Sequence, residues 1–438
     1  MSNPRTIVKK MIPTAVFRRI EPLGHLAEAV LANIRYGFPG RKLRIIGVTG
    51  TNGKTTTSFM IHRMLHESGV KVALLTTVAD GIGNDIVAKQ EHMTTAAAGK
   101  VQQSLKKFAK AGMDWVVIET SSHALAQYRV WGVPYEIAVM TNVTYDHLDY
   151  HGTFERYTAA KQRLFKLANK HGLRFGVANA DDPQCEGFTD NIANHTTYGL
   201  SAGEVKATNV SLSASGSTYD VAVGDDTYHI KVNIPGEFNV SNSLAALSVG
   251  RKLKLTPQQI EKGIAALSGV EGRMNTIDEG QDFKVIIDFA STPDAFTNFF
   301  KSVRPLTKGK LIAVFGSAGR RDEAKRSVQG EIAGQYADVV IATEEDDRDI
   351  DGSIILRQIA EGATKAGKIE GESLYLVPSR EDAIAFAMAQ ATSSDDVVVL
   401  LGKGHEKTIE RANGENPWNE AEAARAALQA LAASQSKG

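Results

Sequence analysis

The sequence predicts an α/β protein in which a central domain with a mostly parallel sheet is followed by a second, doubly wound domain. Three observations predict this. Short apolar runs alternate with helical segments from residue 41 onward. A glycine-rich loop, Gly47-Val48-Thr49-Gly50-Thr51-Asn52-Gly53-Lys54-Thr55-Thr56, joins the first of these runs to a helix. After a patch of Val/Thr/Ser/Tyr alternation at 206–234, a fresh series of apolar runs and helices starts near residue 271. The chain therefore divides into a basic helical arm (1–40), a central domain (41–270) and a C-terminal domain (271–438).

In the arm, arginines and lysines such as Arg5, Lys9, Lys10, Arg18, Arg19 and Arg35 far outnumber Glu21 and Glu28. Leu23, Leu26, Ala27, Val30, Leu31 and Ile34 recur at helical spacing, so an amphipathic helix is expected from about Leu23 to Tyr36, ended by Gly37-Phe38-Pro39-Gly40. Such a helix suits packing on the next domain, an acidic ligand or a membrane surface.

The loop at Gly47–Thr56 follows the apolar run Leu43–Ile46 and precedes a helical segment. Strand, glycine-rich loop, Lys-Thr, helix is the order that wraps a nucleotide triphosphate. Glycines admit backbone N–H groups to the phosphates, and the helix N-terminus adds positive potential. Gly50, Thr51, Asn52, Gly53, Lys54, Thr55 and Thr56 are thus the expected nucleotide contacts. Lys54 would reach the outer phosphates, and the Thr55 hydroxyl would ligate Mg²⁺. The strict pattern asks for glycine at position 48, where valine stands. The central domain is accordingly of the P-loop ATPase type, and the second is Rossmann-like.

Val70–Thr76, Trp115–Ile118 and Ile137–Met140 read as buried parallel strands, with helices over Ala96–Ala111 and Thr153–Lys170. Glu119 ends one strand, at the sheet edge where ligands bind; it suits either Mg²⁺ ligation or capping of the next turn. Asp146, His147, Asp149 and His151 crowd the end of the next strand, as ligands or as hydrogen-bonded structural groups. In the second domain, strands are expected at Lys284–Phe289, Lys310–Phe315, Ala337–Ala342, Ser373–Val377 and Asp396–Leu401. The tail after Leu431 reads as disordered.

Composition narrows the function classes. Among 438 residues, Lys plus Arg and Asp plus Glu both total 50, so nothing global favours nucleic acid. Cys185 is the sole cysteine, which excludes a disulfide framework and a cysteine-based metal site. No apolar run is long enough to span a bilayer, and no signal-peptide layout is present. A cytoplasmic monomer is expected.

Taken in order, Gly50-Thr-Asn-Gly-Lys-Thr-Thr56, Glu119-Thr-Ser-Ser-His-Ala-Leu125, Asp146-His-Leu-Asp-Tyr-His-Gly152, Ala160-Lys161, Phe238–Asn242, Gly272-Arg-Met274, Lys325-Arg326 and Gly402-Lys-Gly-His-Glu406 resemble the Mur ligases, ATP-dependent amide-forming enzymes of peptidoglycan synthesis. The likeness spans about residues 44–410 and is greatest to the MurE type, which adds an amino acid to UDP-N-acetylmuramoyl-L-alanyl-D-glutamate. The resemblance implies ATP and two Mg²⁺ ions, with Thr55 and Glu119 on the first and His147 on the second. It implies that Lys161 carries a CO₂-derived carbamate that also ligates metal. Asn242 is implied at the adenine, Arg273 at the γ-phosphate and Asp288 at the ribose. Thr94, Thr95, Ser121 and Ser122 are implied at the muramoyl-peptide acceptor, and Arg321, Asp346, Arg348, Gly402 and Glu406 at the substrates. Lys54, Lys161, His147 and Arg273 form the implied catalytic set, working through an acyl phosphate.

Three departures from that pattern stand out. Only 46 residues precede Gly47, fewer than the UDP-gripping domain of such ligases needs, so UDP is held differently, for instance by the basic arm, or the acceptor lacks it. Ser291 replaces a histidine. Glu345-Asp346-Asp347-Arg348 stands where diaminopimelate enzymes carry Asp-Asn-Pro-Arg, which leaves diaminopimelate and lysine both open. Cyanophycin- or folylpolyglutamate-like extension and a non-catalytic nucleotide-binding subunit are the alternatives.

Overall fold

The computed structural model describes residues 14–89, 94–213 and 215–435. The first part of the chain builds strands β1 (Arg44–Thr49), β2 (Val72–Leu75), β3 (Ala79–Ile82), β4 (Asp85–Ala88), β5 (Trp115–Glu119), β6 (Tyr135–Met140), β7 (Phe175–Asn179), β8 (Asn194–Gly199) and β9 (Val205–Lys206). They form one sheet in the order β4-β3-β2-β5-β1-β6-β7-β8-β9. Only the β2-β3-β4 meander is antiparallel. β5 and β7 are buried along their whole length, and β1 from Ile45 to Thr49, as befits strands covered on both faces.

The strand order places the site. β1 lies between β5 and β6, with Val48 paired to Glu119 and Thr49 to Met140. The segments that leave these strands therefore emerge side by side at one sheet edge, where the chain switches from one side of β1 to the other. Helices Lys54–Glu67 and Phe154–Ala168 start at this edge. Thr153 caps the second by accepting from Arg156 N.

The alternating segment forms an antiparallel sheet of β10 (Thr208–Ser213), β11 (Gly216–Val223) and β12 (Asp226–Val232). The C-terminal sheet contains β13 (Asn275–Ile277), β14 (Lys284–Asp288), β15 (Leu311–Phe315), β16 (Val339–Ala342), β17 (Leu374–Leu376) and β18 (Val397–Leu401). Its order is β13-β14-β18-β15-β16-β17, with β13 alone antiparallel. Asp288, Leu401 and Phe315 pair across its neighbouring strands, so Asp288 and Gly402 share the C-terminal edge. A hairpin of β19 (Thr408–Arg411) and β20 (Gly414–Pro417) follows.

Two elements differ from the sequence expectation. The arm helix runs over Thr14–Tyr36, with Pro22 inside it. Proline removes one intrahelical donor but leaves the apolar spacing intact, so the helix continues on both sides of it. Arg5, Lys9 and Lys10, and the side chains of Arg18 and Arg19, lie outside the described residues. The expected disorder after Leu431 is overturned as far as Gln435: the alanine-rich segment Glu420–Gln435 is one helix, in keeping with alanine's helix propensity.

Candidate active site

The phosphate loop is fixed by close backbone approach. Gly50 has φ +152 and Gly53 φ +80, and a Cβ at Gly53 would sit 2.3 Å from Asn242 Oδ1. Asn142 Oδ1 accepts from Asn52 N at 2.9 Å, and Thr141 Oγ1 donates to Asn52 O at 2.6 Å. Lys54 Nζ donates to Thr51 O at 2.8 Å. Burial lowers the Lys54 pKa; Glu119 and Asp146 oppose that shift and Arg273 adds to it.

Thr55 and Glu119 meet, as a shared Mg²⁺ site requires. Thr55 Oγ1 donates to both Glu119 oxygens at 3.1 Å. Thr77, which sequence reasoning missed, donates to Glu119 Oε2 from its N–H and its hydroxyl, each at 2.8 Å. It follows β2, so the strand-end rule that singled out Glu119 applies to it as well. A carboxylate flanked by two hydroxyls is a hard oxygen set of the kind Mg²⁺ takes. Among the described residues, no three His, Cys, Asp or Glu side chains gather as a metal cluster. The oxygen donors at this edge are instead two hydroxyls, of Thr55 and Thr77, and one carboxylate, Glu119.

Lys161 is 2% exposed. Its Nζ donates to Gly50 O and lies 4.4 Å from the centre of the Tyr157 ring. Burial, then the nearby Lys54 charge, holds its pKa well below the usual lysine range, while Asp146 opposes the shift. A neutral amine is the form that adds to CO₂, so the residue fits the carbamate its position implies. His147 adopts φ +54 and brings its Nε2 to 3.3 Å from Asp146 Oδ2. Its ring stacks edge-on with His123 at 4.7 Å.

Two cavities adjoin the loop. One of about 270 Å³ is lined by Thr94, Ser121, Ser122, His147, Lys161 and Arg321, among others. Thr95 borders it through Ser121: its Oγ1 accepts from Ser121 N at 3.0 Å and donates to Glu119 O at 3.0 Å. His151 Nε2 lies 3.1 Å from Ser122 Oγ, and Arg129, also missed in the sequence, donates to Thr95 O at 2.8 Å. The larger cavity, about 650 Å³, lies between the central and C-terminal sheets. Thr51–Thr56, Glu119 and Asn242 line it from one side of the sequence, and Arg273, Asp288, Arg348, Gly402 and Glu406 from the other.

Within that cavity, Arg273 stacks over Phe289 at 4.6 Å. Asp288 accepts from Met274 N and Ala290 N, each at 2.8 Å. Burial raises its pKa, and Arg273 and those two bonds pull it back. Asn242 is held under the loop by Thr57 Oγ1 at 3.2 Å. Lys403, also missed, is fully buried and pairs with Asp346 at 2.8 Å and Glu406 at 2.5 Å. Arg348 pairs with Glu410 at 2.7 Å. Asp346 and Glu406, both implied at the substrates, thus already share a cation from the chain itself.

Phosphate loop, strand-end acid and a cavity shared by two α/β sheets define a nucleotide-dependent enzyme whose reactants meet between domains. The model of the Mur ligase middle domain matches residues 48–250, and that of the Mur ligase glutamate ligase domain matches 272–404. UDP-N-acetylmuramyl-tripeptide synthetase of Roseiflexus sp. (strain RS-1) is 42% identical over 424 residues, covering 94% of this chain and 83% of its own length. UDP-N-acetylmuramoyl-L-alanyl-D-glutamate–2,6-diaminopimelate ligase 1 of Clostridium acetobutylicum is 36% identical over 405 residues, covering 92% and 81%. A solved UDP-N-acetylmuramoyl-L-alanyl-D-glutamate–2,6-diaminopimelate ligase superposes with TM-score 0.62 at 31% identity, over 89% of this chain and 79% of that one. The chain belongs to the Mur ligase family. It is an ATP-dependent, ADP-forming ligase that uses Mg²⁺.

Proposed function

We propose that this ligase, of the MurE type, adds a diamino acid to a UDP-linked muramoyl-dipeptide in peptidoglycan synthesis, and that it does so as a cytoplasmic monomer. The observation that carries the reading is the buried Lys161 amine on the Gly50 carbonyl, beside a loop whose Thr55 already meets Glu119. The relatives at 36–42% identity bear muramoyl-peptide names, which disfavours a folate- or cyanophycin-like acceptor. Glu119, His147 and Lys161 are all present, which disfavours a non-catalytic subunit. Of the described helices, none is long and apolar enough to cross a membrane.

Each residue has a role in this reading. Lys54 and Arg273 neutralise the charge that grows on the γ-phosphate as the acceptor carboxylate attacks it. Thr55 and Glu119 would hold one Mg²⁺, and His147 and a carbamate on Lys161 would hold a second; the ions would supply charge neutralisation at the phosphates. Asn242 and Asp288 position the nucleoside. Thr94, Thr95, Ser121, Ser122 and Arg321 hold the acceptor in the smaller cavity. Asp346, Arg348, Gly402 and Glu406 frame the amino acid, whose amine attacks the acyl phosphate and releases phosphate. The domain division at 1–40, 41–270 and 271–438 belongs to the same reading, with the last two closing on the reactants.

ADP release measured against acceptors with and without UDP, and against a panel of amino acids, tests it. ADP release that needs both a muramoyl-dipeptide and a diamino acid is expected. Release with a glutamyl or folyl acceptor instead, or with no acceptor dependence, would sink the reading.

A further inference from the structure

Arg348 is committed to the chain itself on both backbone and side chain. Its N–H donates to Glu410 O at 2.9 Å, and its Nε donates to Glu410 Oε2 at 2.7 Å. Its Nη1 donates to Gly319 O. Glu410 N in turn donates to Asp346 Oδ1 at 3.0 Å. Strand β19 is therefore zipped onto the Asp346–Arg348 loop, and Glu410 is the tooth that meets the arginine. The pair lines the cavity between the sheets, with Arg348 19% and Glu410 43% exposed.

The remaining charges lean the same way. Lys403, fully buried, is answered by Asp346 and Glu406. Asp346, Glu406 and Glu410 are three carboxylates facing two cations, Arg348 and Lys403. A substrate ammonium entering here balances the excess negative charge. A substrate carboxylate enlarges it and has to displace Glu410 from Arg348, and like charges set side by side are costly. A Cβ on Gly402 would fall 2.5 Å from Glu345 Oε2, so a further carboxylate stands against the backbone at the same corner, where the Lys325 and Lys403 charges oppose it.

We propose that Glu410 sets the amino-acid specificity: by engaging Arg348 it excludes a second carboxylate, so the substrate is a diamino monocarboxylic acid of the lysine or ornithine kind rather than a diaminodicarboxylic acid. This rests on the MurE-type reading above and narrows its substrate. Glu410→Gln keeps the shape of the pair and removes the competing charge.

The experiment measures amino-acid-dependent ADP release, with ATP and muramoyl-dipeptide acceptor saturating. L-lysine, L-ornithine and meso-diaminopimelate are compared on the wild-type enzyme, Glu410→Gln and Glu410→Ala. The wild type should favour lysine or ornithine in kcat/KM by about tenfold or more. Both variants should shift the ratio toward diaminopimelate by about tenfold, through KM for diaminopimelate. The ratio between two substrates of one preparation is insensitive to a loss of folded enzyme. Wild-type preference for diaminopimelate, or an unchanged ratio in both variants, overturns the proposal and leaves the ligase reading intact. No ADP release with any of the three amino acids overturns both.

Discussion

Asn52 Nδ2 donates to Asp294 Oδ2 at 2.7 Å, tying the phosphate loop to the first turn of helix Pro293–Val303 in the C-terminal domain. The two residues lie 242 positions apart in the chain. Thr292 caps that helix by accepting from Ala295 N, which fixes where Asp294 stands.

Asp294→Ala removes this tether and should raise the KM for ATP about three- to tenfold, in line with about 1 kcal/mol for one such hydrogen bond. Asp294→Asn keeps an acceptor and should recover most of the loss. The check is ADP release as a function of ATP concentration for the two variants. Equal impairment in both would mean that the carboxylate charge, rather than the tether, is what matters.

Lys161→Ala removes the buried amine and with it any carbamate. Turnover should fall by about 10²–10³-fold or more, the scale seen when one preorganised charge-stabilising group is lost. Added bicarbonate should not restore it, because no amine remains to react. Formate or acetate should restore part of it by placing an anion in the space. Near wild-type kcat in the alanine variant would remove Lys161 from the metal site.

The sequence made the nucleotide half of the site legible because its residues are local. Gly50, Gly53, Lys54 and Thr55 fall within six positions between a strand and a helix, and Glu119 sits at a strand end. What escaped it depends on long-range pairing. Thr77 reaches Glu119 across 42 residues, and Arg348 reaches Glu410 across 62. β19 and β20 are short and polar, without the apolar alternation that reveals a strand, so the residue facing Arg348 had no local signature. In the arm the apolar helical spacing begins only at Leu23, whereas the helix itself starts at Thr14 and runs on through Pro22.

Asp347 supplies a pH test of the amino-acid corner. Burial pushes its pKa up from 3.8 to about 6; Glu344 and Asp346 push the same way, while the bond from Glu345 N opposes. The folded state therefore holds its proton more tightly than the unfolded chain does. The stability this provides is complete below the unfolded value near 4 and is lost as pH rises through about 6. Asp347→Asn should match the wild type in Tm at pH 4 and exceed it at pH 7 and above. Partial solvent screening brings the expected gain to about 1–2 kcal/mol. Melting curves across pH 4–8 give the answer, and a gain that does not change with pH would mean the carboxyl titrates normally.

The last prediction concerns the ion pair that anchors the C-terminal helix. Arg380 and Glu420 are both fully buried, with Nη2 2.6 Å from Oε1 and Nε 2.9 Å from Oε2. Arg380 also donates to Leu401 O at 2.8 Å, directly before Gly402, and to Glu344 O at 3.1 Å. Trp418 Nε1 satisfies Glu420 Oε2 at 2.7 Å. Breaking the pair from one side leaves an uncompensated charge in the core. Arg380→Met should therefore cost about 3–5 kcal/mol, a fall in the melting transition of the C-terminal domain on the order of 10 °C. The double variant Arg380→Met/Glu420→Leu removes both charges and should regain much of that loss. Because Arg380 also braces the strand end before Gly402, the double variant should still bind its amino acid more weakly than the wild type at equal stability. Calorimetry of the three proteins, read with amino-acid KM, separates the two effects. A double variant no more stable than Arg380→Met would show that the bonds to Leu401 and Glu344, and not the stranded Glu420 charge, account for the destabilisation.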